Sequence, residues 1–102
     1  MSRPVRWSIE ALDDLSEQIS YIARNNPDAA RRVTDTIDRA ALALGEMPTG
    51  HPGRVAGTYE NSVTGLPYIL AYVITREGGK EAVAIVRVVH TSRDWPAEKW
   101  PE

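Results

Sequence analysis

Two apolar stripes of helical period, separated only by "RNNP" (24–27), constrain this chain more than any other feature in it. In the first, Leu12, Leu15, Ile19 and Ile22 recur at i, i+3, i+7 and i+10, one face of a helix. Ser8 is placed to cap its start, and Glu10, Asp13 and Asp14 in the first turns oppose the positive end of the helix dipole. Asn26 caps the second helix, and Pro27 suits its first position, where a missing N–H costs nothing. Ala30, Val33, Ile37, Ala41 and Leu44 form the second stripe, and Gly45, Pro48 and Gly50 are read as its end. Helices are expected near 9–25 and 27–45. So short a connection permits only an antiparallel hairpin, and the alanines let its axes approach closely. The hairpin is expected to bury Leu12, Leu15, Ile19, Ile22, Val33, Ile37 and Leu44 against a sheet.

The sheet is written around the hairpin. "PVRW" (4–7) precedes it and reads as a first strand. "MPTGHPGR" (47–54) follows it and reads as a loop. Then come "VAGTYENSV", "LPYILAYVIT" and "EAVAIVRVVH", rich in Val, Ile and Tyr. "TG" separates the first two, and "REGGK" is a hairpin turn between the last two. Residues 82–90 are apolar on both faces, which marks an interior strand. The expected order is β-α-α-β-β-β: an α+β fold in which a helical hairpin packs on one face of a small, mainly antiparallel sheet. At 102 residues the chain is expected to be one domain.

Composition excludes several functions. There is no Cys, so disulfides and thiolate chemistry are absent, and with two His far apart no metal or cofactor is expected. The net charge is −2, with eight acidic and six basic residues in 1–50 and six of each in 51–102. A nucleic-acid binder usually carries a basic excess, because phosphate contacts supply most of its affinity. No apolar run approaches the roughly 20 residues of a membrane helix, and "MSRPVRW" has no signal-peptide core. A soluble cytoplasmic protein with no membrane partner is expected.

The polar cluster "RVVHTSRDWP" (87–96) closes the last strand. His90 reads first as a strand-end histidine bonded to a neighbour, and second as a general acid or base. His51, in a Pro/Gly loop, reads as solvated. Arg87 falls by period two on the face of Val83, Ile85 and Val89, where it is expected to pair with an acid. Trp95 and Trp100, each before a proline, either fold back over the core or anchor a partner, since Trp is enriched at binding hot spots. No P-loop, GxGxxG or HExxH occurs, and no Ser-His-Asp arrangement can be argued from spacing.

Taken in order, "VRW", "ALDDLSEQISYIARNNPDAARR", "HPGR", "PYILAYVI" and "AIVRVVHTSRDWP" resemble the RelE/ParE superfamily of toxins from bacterial type II toxin–antitoxin systems, over nearly the whole chain. The resemblance implies the same fold and a cognate antitoxin, ParD-like or RelB-like, that lays helices or a strand across the toxin. It also implies a role in growth arrest and plasmid stabilisation. The superfamily divides: ParE-type members poison DNA gyrase, and RelE-type members are ribosome-dependent mRNA endonucleases that need basic groups and an acid/base pair.

This chain departs from the RelE pattern. RelE-type enzymes carry an Arg three residues before a strand Tyr; with Tyr72 as that Tyr, the position is Ile69, which can neither stabilise a phosphorane nor move a proton. They also often use a Tyr near the C-terminus, whereas the last tyrosine here is Tyr72. The ParE-like branch is therefore expected, with no catalytic residues and with Arg93, Trp95 and Trp100 touching the target. Were the chain an RNase acting on mRNA at the ribosome, Arg54, Arg87, His90 and Arg93 would be its site. A non-toxic interaction module with the same fold is the third reading.

Overall fold

The computed structural model describes residues 2–92. Its elements are β1 (Val5–Trp7), α1 (Ile9–Ala23), α2 (Pro27–Glu46), β2 (His51–Pro52), β3 (Tyr59–Ser62), β4 (Tyr68–Glu77) and β5 (Lys80–His90). They form one five-stranded sheet in the order β1-β5-β4-β3-β2. Only β1 runs parallel to its neighbour, β5; the other pairs are antiparallel. The α+β reading therefore holds, and β5 is the interior strand its two apolar faces require. The segment read as a loop contains the two-residue strand β2, which pairs with β3 through His51–Glu60 and Pro52–Tyr59.

Both predicted caps form. The Ser8 hydroxyl accepts from the Ala11 N–H at 3.0 Å, and the Asn26 side chain accepts from the Ala29 N–H at 3.0 Å. Gly45 does not end the second helix, which runs on through Glu46 to a C-cap at Met47. The reason for glycine is close packing. A Cβ at Gly45 would lie 2.5 Å from the Arg3 carbonyl oxygen, and the Arg3 N–H donates to the Gly45 carbonyl at 2.8 Å. The end of α2 is thus stitched to the chain entering β1. Gly78 and Gly79 turn β4 into β5 with φ of 59° and 82°, a conformation side-chain-bearing residues avoid.

Ile37, Leu44, Leu70, Tyr72, Val83 and Ile85 are the buried centre of the core, with Leu15 and Val33 packed against it. Ile19 and Ile22 are half-buried. Leu12 is a correction: it is 49% exposed. The buried place on α1 belongs to Ala11, fully enclosed, so the inward row is Ala11, Leu15, Gln18 and Ile22 and leaves Leu12 off the seam.

A second correction comes from a β-bulge. Tyr72 pairs with Ile85 but Ala71 pairs with Arg87, so Val86 is an extra residue in β5. Beyond it the alternation shifts. Val83, Ile85 and Val88 pack in the helix-side core, whereas Val89 packs with Ala71, Ile69, Val86 and Val55 on the other face. Val83 and Ile85 therefore do not share a face with Val89, and Arg87, which pairs with Ala71, reaches Asp14 of α1 with its side chain.

Candidate functional site

Arg87 of β5 is held by α1. Its Nε donates to Asp14 Oδ2 at 2.7 Å and its NH2 group to Asp14 Oδ1 at 2.8 Å, while the Val88 N–H donates to the same carboxylate at 3.0 Å. The two side chains are 12% and 14% exposed. The Asp14 hydrogen bond, ahead of its charge, raises the guanidinium pKa above its ordinary value. One carboxylate thus neutralises a part-buried cation and satisfies a backbone donor of β5. The expected pairing of Arg87 with an acid is present.

Arg54 is held in the same way. Its backbone N–H and Nε both donate to Glu60 Oε2 at 2.9 Å, and its NH2 group donates to Oε1 at 3.2 Å. Glu60 is the buried charged residue of the described chain, 4% exposed. Hydrogen bonding to Arg54 outweighs burial and holds its pKa below the usual glutamate range. The pair clamps the turn between β2 and β3. Gly53 admits it, since a Cβ there would collide with the Thr58 hydroxyl and crowd Glu60.

At the far end of β5 the described residues form a cleft. His90 stands edge-on to Tyr68, ring centroids 5.3 Å apart, and the Tyr68 hydroxyl donates to Gln18 Oε1 at 3.4 Å. The Ser92 N–H donates to His90 Nδ1 at 3.1 Å, and the Ser92 hydroxyl lies 2.7 Å from the same nitrogen. A backbone N–H can only donate, so Nδ1 is the acceptor and the neutral ring carries its proton on Nε2. His90 therefore has the neighbour bonds first expected of it. Glu17, Gln18 and Tyr21 of α1 and Arg24 at its C-cap complete a cleft of about 330 Å³ with His90 and Ser92. Tyr21 is 66% exposed, and Arg24 has no side-chain hydrogen bond or ion pair among the described residues. An Nε2–H, a phenol and a guanidinium line one cleft, a set suited to holding a polar or anionic group.

The remaining sequence expectations fall in three places. His51 is exposed, with Nδ1 3.0 Å from the Pro52 carbonyl oxygen. Ile69 packs with Ala71 and Val89 on the sheet face opposite the helices. Arg93, Trp95 and Trp100 lie outside the described residues. Tyr21 and Arg24 were not singled out in the sequence. Their i, i+3 spacing puts them on one side of α1, but nothing local says that the end of β5 lies beside them. Among the described residues no group of His, Asp or Glu is placed to hold a metal ion, and no helix is long and apolar enough to cross a membrane.

Comparison with known proteins agrees with this geometry. A family model described as "ParE toxin of type II toxin-antitoxin system, parDE" matches residues 5–95. A protein named "Putative toxin Y4kP" from Sinorhizobium fredii is 42% identical over 98 residues, covering 94% of this chain and 97% of its own. "Toxin RelE2" of Caulobacter vibrioides is 36% identical over 90 residues, covering 87% of this chain and 96% of its own. A chain of the chromosomal ParDE system of P. aeruginosa superposes with a TM-score of 0.77 at 16% identity, over 87% of this chain and 96% of that one, and shares the fold.

Proposed function

The chain belongs to the ParE toxin family of type II toxin–antitoxin systems, and from that premise we propose that it acts in the cytoplasm as a toxin that inhibits DNA gyrase by binding and is neutralised by a cognate antitoxin. The observation that carries this reading is the double occupation of its arginines. Arg87 is committed to Asp14 and Arg54 to Glu60. A nuclease needs cations free to meet a phosphorane. Here two of the sequence's four candidate catalytic groups already serve carboxylates. Ile69, where RelE-type enzymes carry an Arg, is apolar packing. Arg93, Trp95 and Trp100 are proposed to touch the target. The antitoxin interface is expected to bury on the order of 2,000 Å² or more, as permanent complexes do.

A second reading rests on the cleft at His90. Its imidazole, Tyr21 and Arg24 form a different candidate set for ribosome-dependent mRNA cleavage, and one relative carries the name RelE2. Expression without antitoxin separates the two. DNA damage, filamentation and loss of gyrase supercoiling by the purified protein support gyrase. An immediate stop in translation with mRNA cut on ribosomes supports the nuclease. No effect on growth supports an interaction module.

A further inference from the structure

A second cleft, of about 370 Å³, lies between α2, the chain leaving that helix and the end of β3. Its walls are fixed by the fold. The Tyr72 hydroxyl donates to the Thr49 carbonyl at 2.7 Å, and the Asn61 amide donates to the Thr49 hydroxyl at 3.0 Å. On α2 the Thr36 hydroxyl donates to the Arg32 carbonyl at 2.8 Å. Ala40, Ala43 and Val63 supply apolar surface beside these groups.

What the walls leave over is donors. Arg39 is exposed and forms no side-chain hydrogen bond or ion pair among the described residues. The Thr49 oxygen accepts from Asn61, so its own proton remains to be given. The Thr64 hydroxyl, exposed past the end of β3, has no partner among the described residues. Ser62 adds a backbone donor. The Val63 N–H bonds the Tyr68 carbonyl at 2.9 Å, which continues the β3–β4 register as a hydrogen-bonded pair. The neighbouring pair, Ser62–Ile69, then turns its N–H groups away from each other. The Ser62 N–H therefore faces the outer edge of β3, which β2 pairs at Tyr59 and Glu60 but not beyond. Among the described residues no carboxylate lines the cleft, in a chain with 14 acidic and 12 basic residues.

We infer that this cleft binds a small phosphate monoester, with Arg39 meeting the charge of the phosphate and the Ser62 N–H and the Thr49 and Thr64 hydroxyls taking its remaining oxygens. Donors drawn from a helix, a strand edge, a loop and a turn suit a tetrahedral oxyanion, whereas a planar carboxylate is best met by two parallel donors of one fork. Ala40, Ala43 and Val63 seat the esterified group. The cleft shares no residue with the one at His90, so this ligand is separate from the toxin's target.

The test is an NMR titration of the isotope-labelled full chain with inorganic phosphate, AMP, adenosine and acetate. Ionic strength is held constant, which removes general charge screening. Phosphate and AMP are expected to shift the Ser62 and Thr64 amides and the Arg39 Nε–H, with AMP bound the more tightly, while adenosine and acetate leave them in place. Arg39→Gln is expected to weaken AMP binding about ten- to hundredfold, the loss of a hydrogen bond between charged groups. Thr64→Val should weaken it about two- to tenfold, and it carries the test alone should the Arg39 variant misfold. Both side chains are exposed, so the rest of each spectrum should match wild type. Acetate shifting the same groups as strongly overturns the phosphate assignment. Phosphate bound as tightly as AMP overturns the monoester. Shifts that persist undiminished in both variants, or that fall on other residues, overturn the site, as does the absence of any shift with phosphate and AMP. None of these results bears on the family to which the chain belongs.

Discussion

Asp14 and Arg24 stand about three turns apart on the same helix, and both lie against β5, yet the two ends of that interface behave differently. At Asp14 the contact is closed. A carboxylate sits between a guanidinium and a backbone N–H of β5 beyond its last pair with β1, and bonds both. At Arg24 the contact is open among the described residues. Among the described residues the helix and the strand leave a cleft lined by polar groups. One pair of elements thus supplies a structural pin and a candidate binding surface. Where a charged residue finds its partner within the chain, it is spent on the fold.

The largest effect should come from breaking the pin. Asp14→Ala leaves a part-buried guanidinium and a backbone donor without their acceptor, and is expected to cost about 3–5 kcal/mol of stability in urea denaturation. A cost under about 1 kcal/mol would mean that Arg87 relaxes into water and that the interface is as open there as at Arg24. Next comes the core that both regions rest on. Ile37→Ala should cost about 2–5 kcal/mol, whereas Leu12→Ala should cost within about 1 kcal/mol. Equal costs would restore Leu12 to the core.

The second clamp is read through pH. Glu60 has a depressed pKa in the folded chain because Arg54 hydrogen-bonds its ionised form. The clamp's stabilisation is therefore fully present above the unfolded value of about 4.3 and is lost as pH falls below that toward the lower folded value. Thermal melts should show Tm dropping in that acid range, with a shallower drop in Glu60→Gln. Identical slopes would remove Glu60 from the acid response. The smallest effect belongs to the cleft. Arg24→Ala should leave stability within about 0.5 kcal/mol of wild type, and a larger loss would make the open end structural too.

Much of this was legible in the sequence. Ser8, Asn26 and Pro27 mark helix starts by side-chain chemistry alone, and the diglycine at 78–79 marks its turn by backbone conformation. What was not legible depends on distant packing. Leu12 and Ala11 both fit a helical stripe, and only the meeting of two helices selects the alanine. Gly45 reads as a stop signal, but its reason is the Arg3 carbonyl on another segment. The bulge at Val86 breaks period two without altering the apolar run, so the face of Val89 could not be counted forward from Val83. That Arg87 needs an acid could be read from its apolar neighbours. That the acid is Asp14, across 73 positions of chain, could not.

The central claim is that this toxin acts by binding and that no residue of the β5 end transfers a proton. His90→Gln tests it most directly, because glutamine keeps a hydrogen-bonding side chain of similar reach but does not titrate. Folded His90→Gln and wild type should be compared in growth arrest, gyrase supercoiling and ribosome-dependent mRNA cleavage. Equal growth arrest and equal loss of supercoiling are expected, with mRNA intact. Wild-type cleavage of mRNA on ribosomes that falls about 10²–10⁴-fold in His90→Gln, together with lost toxicity, would contradict it.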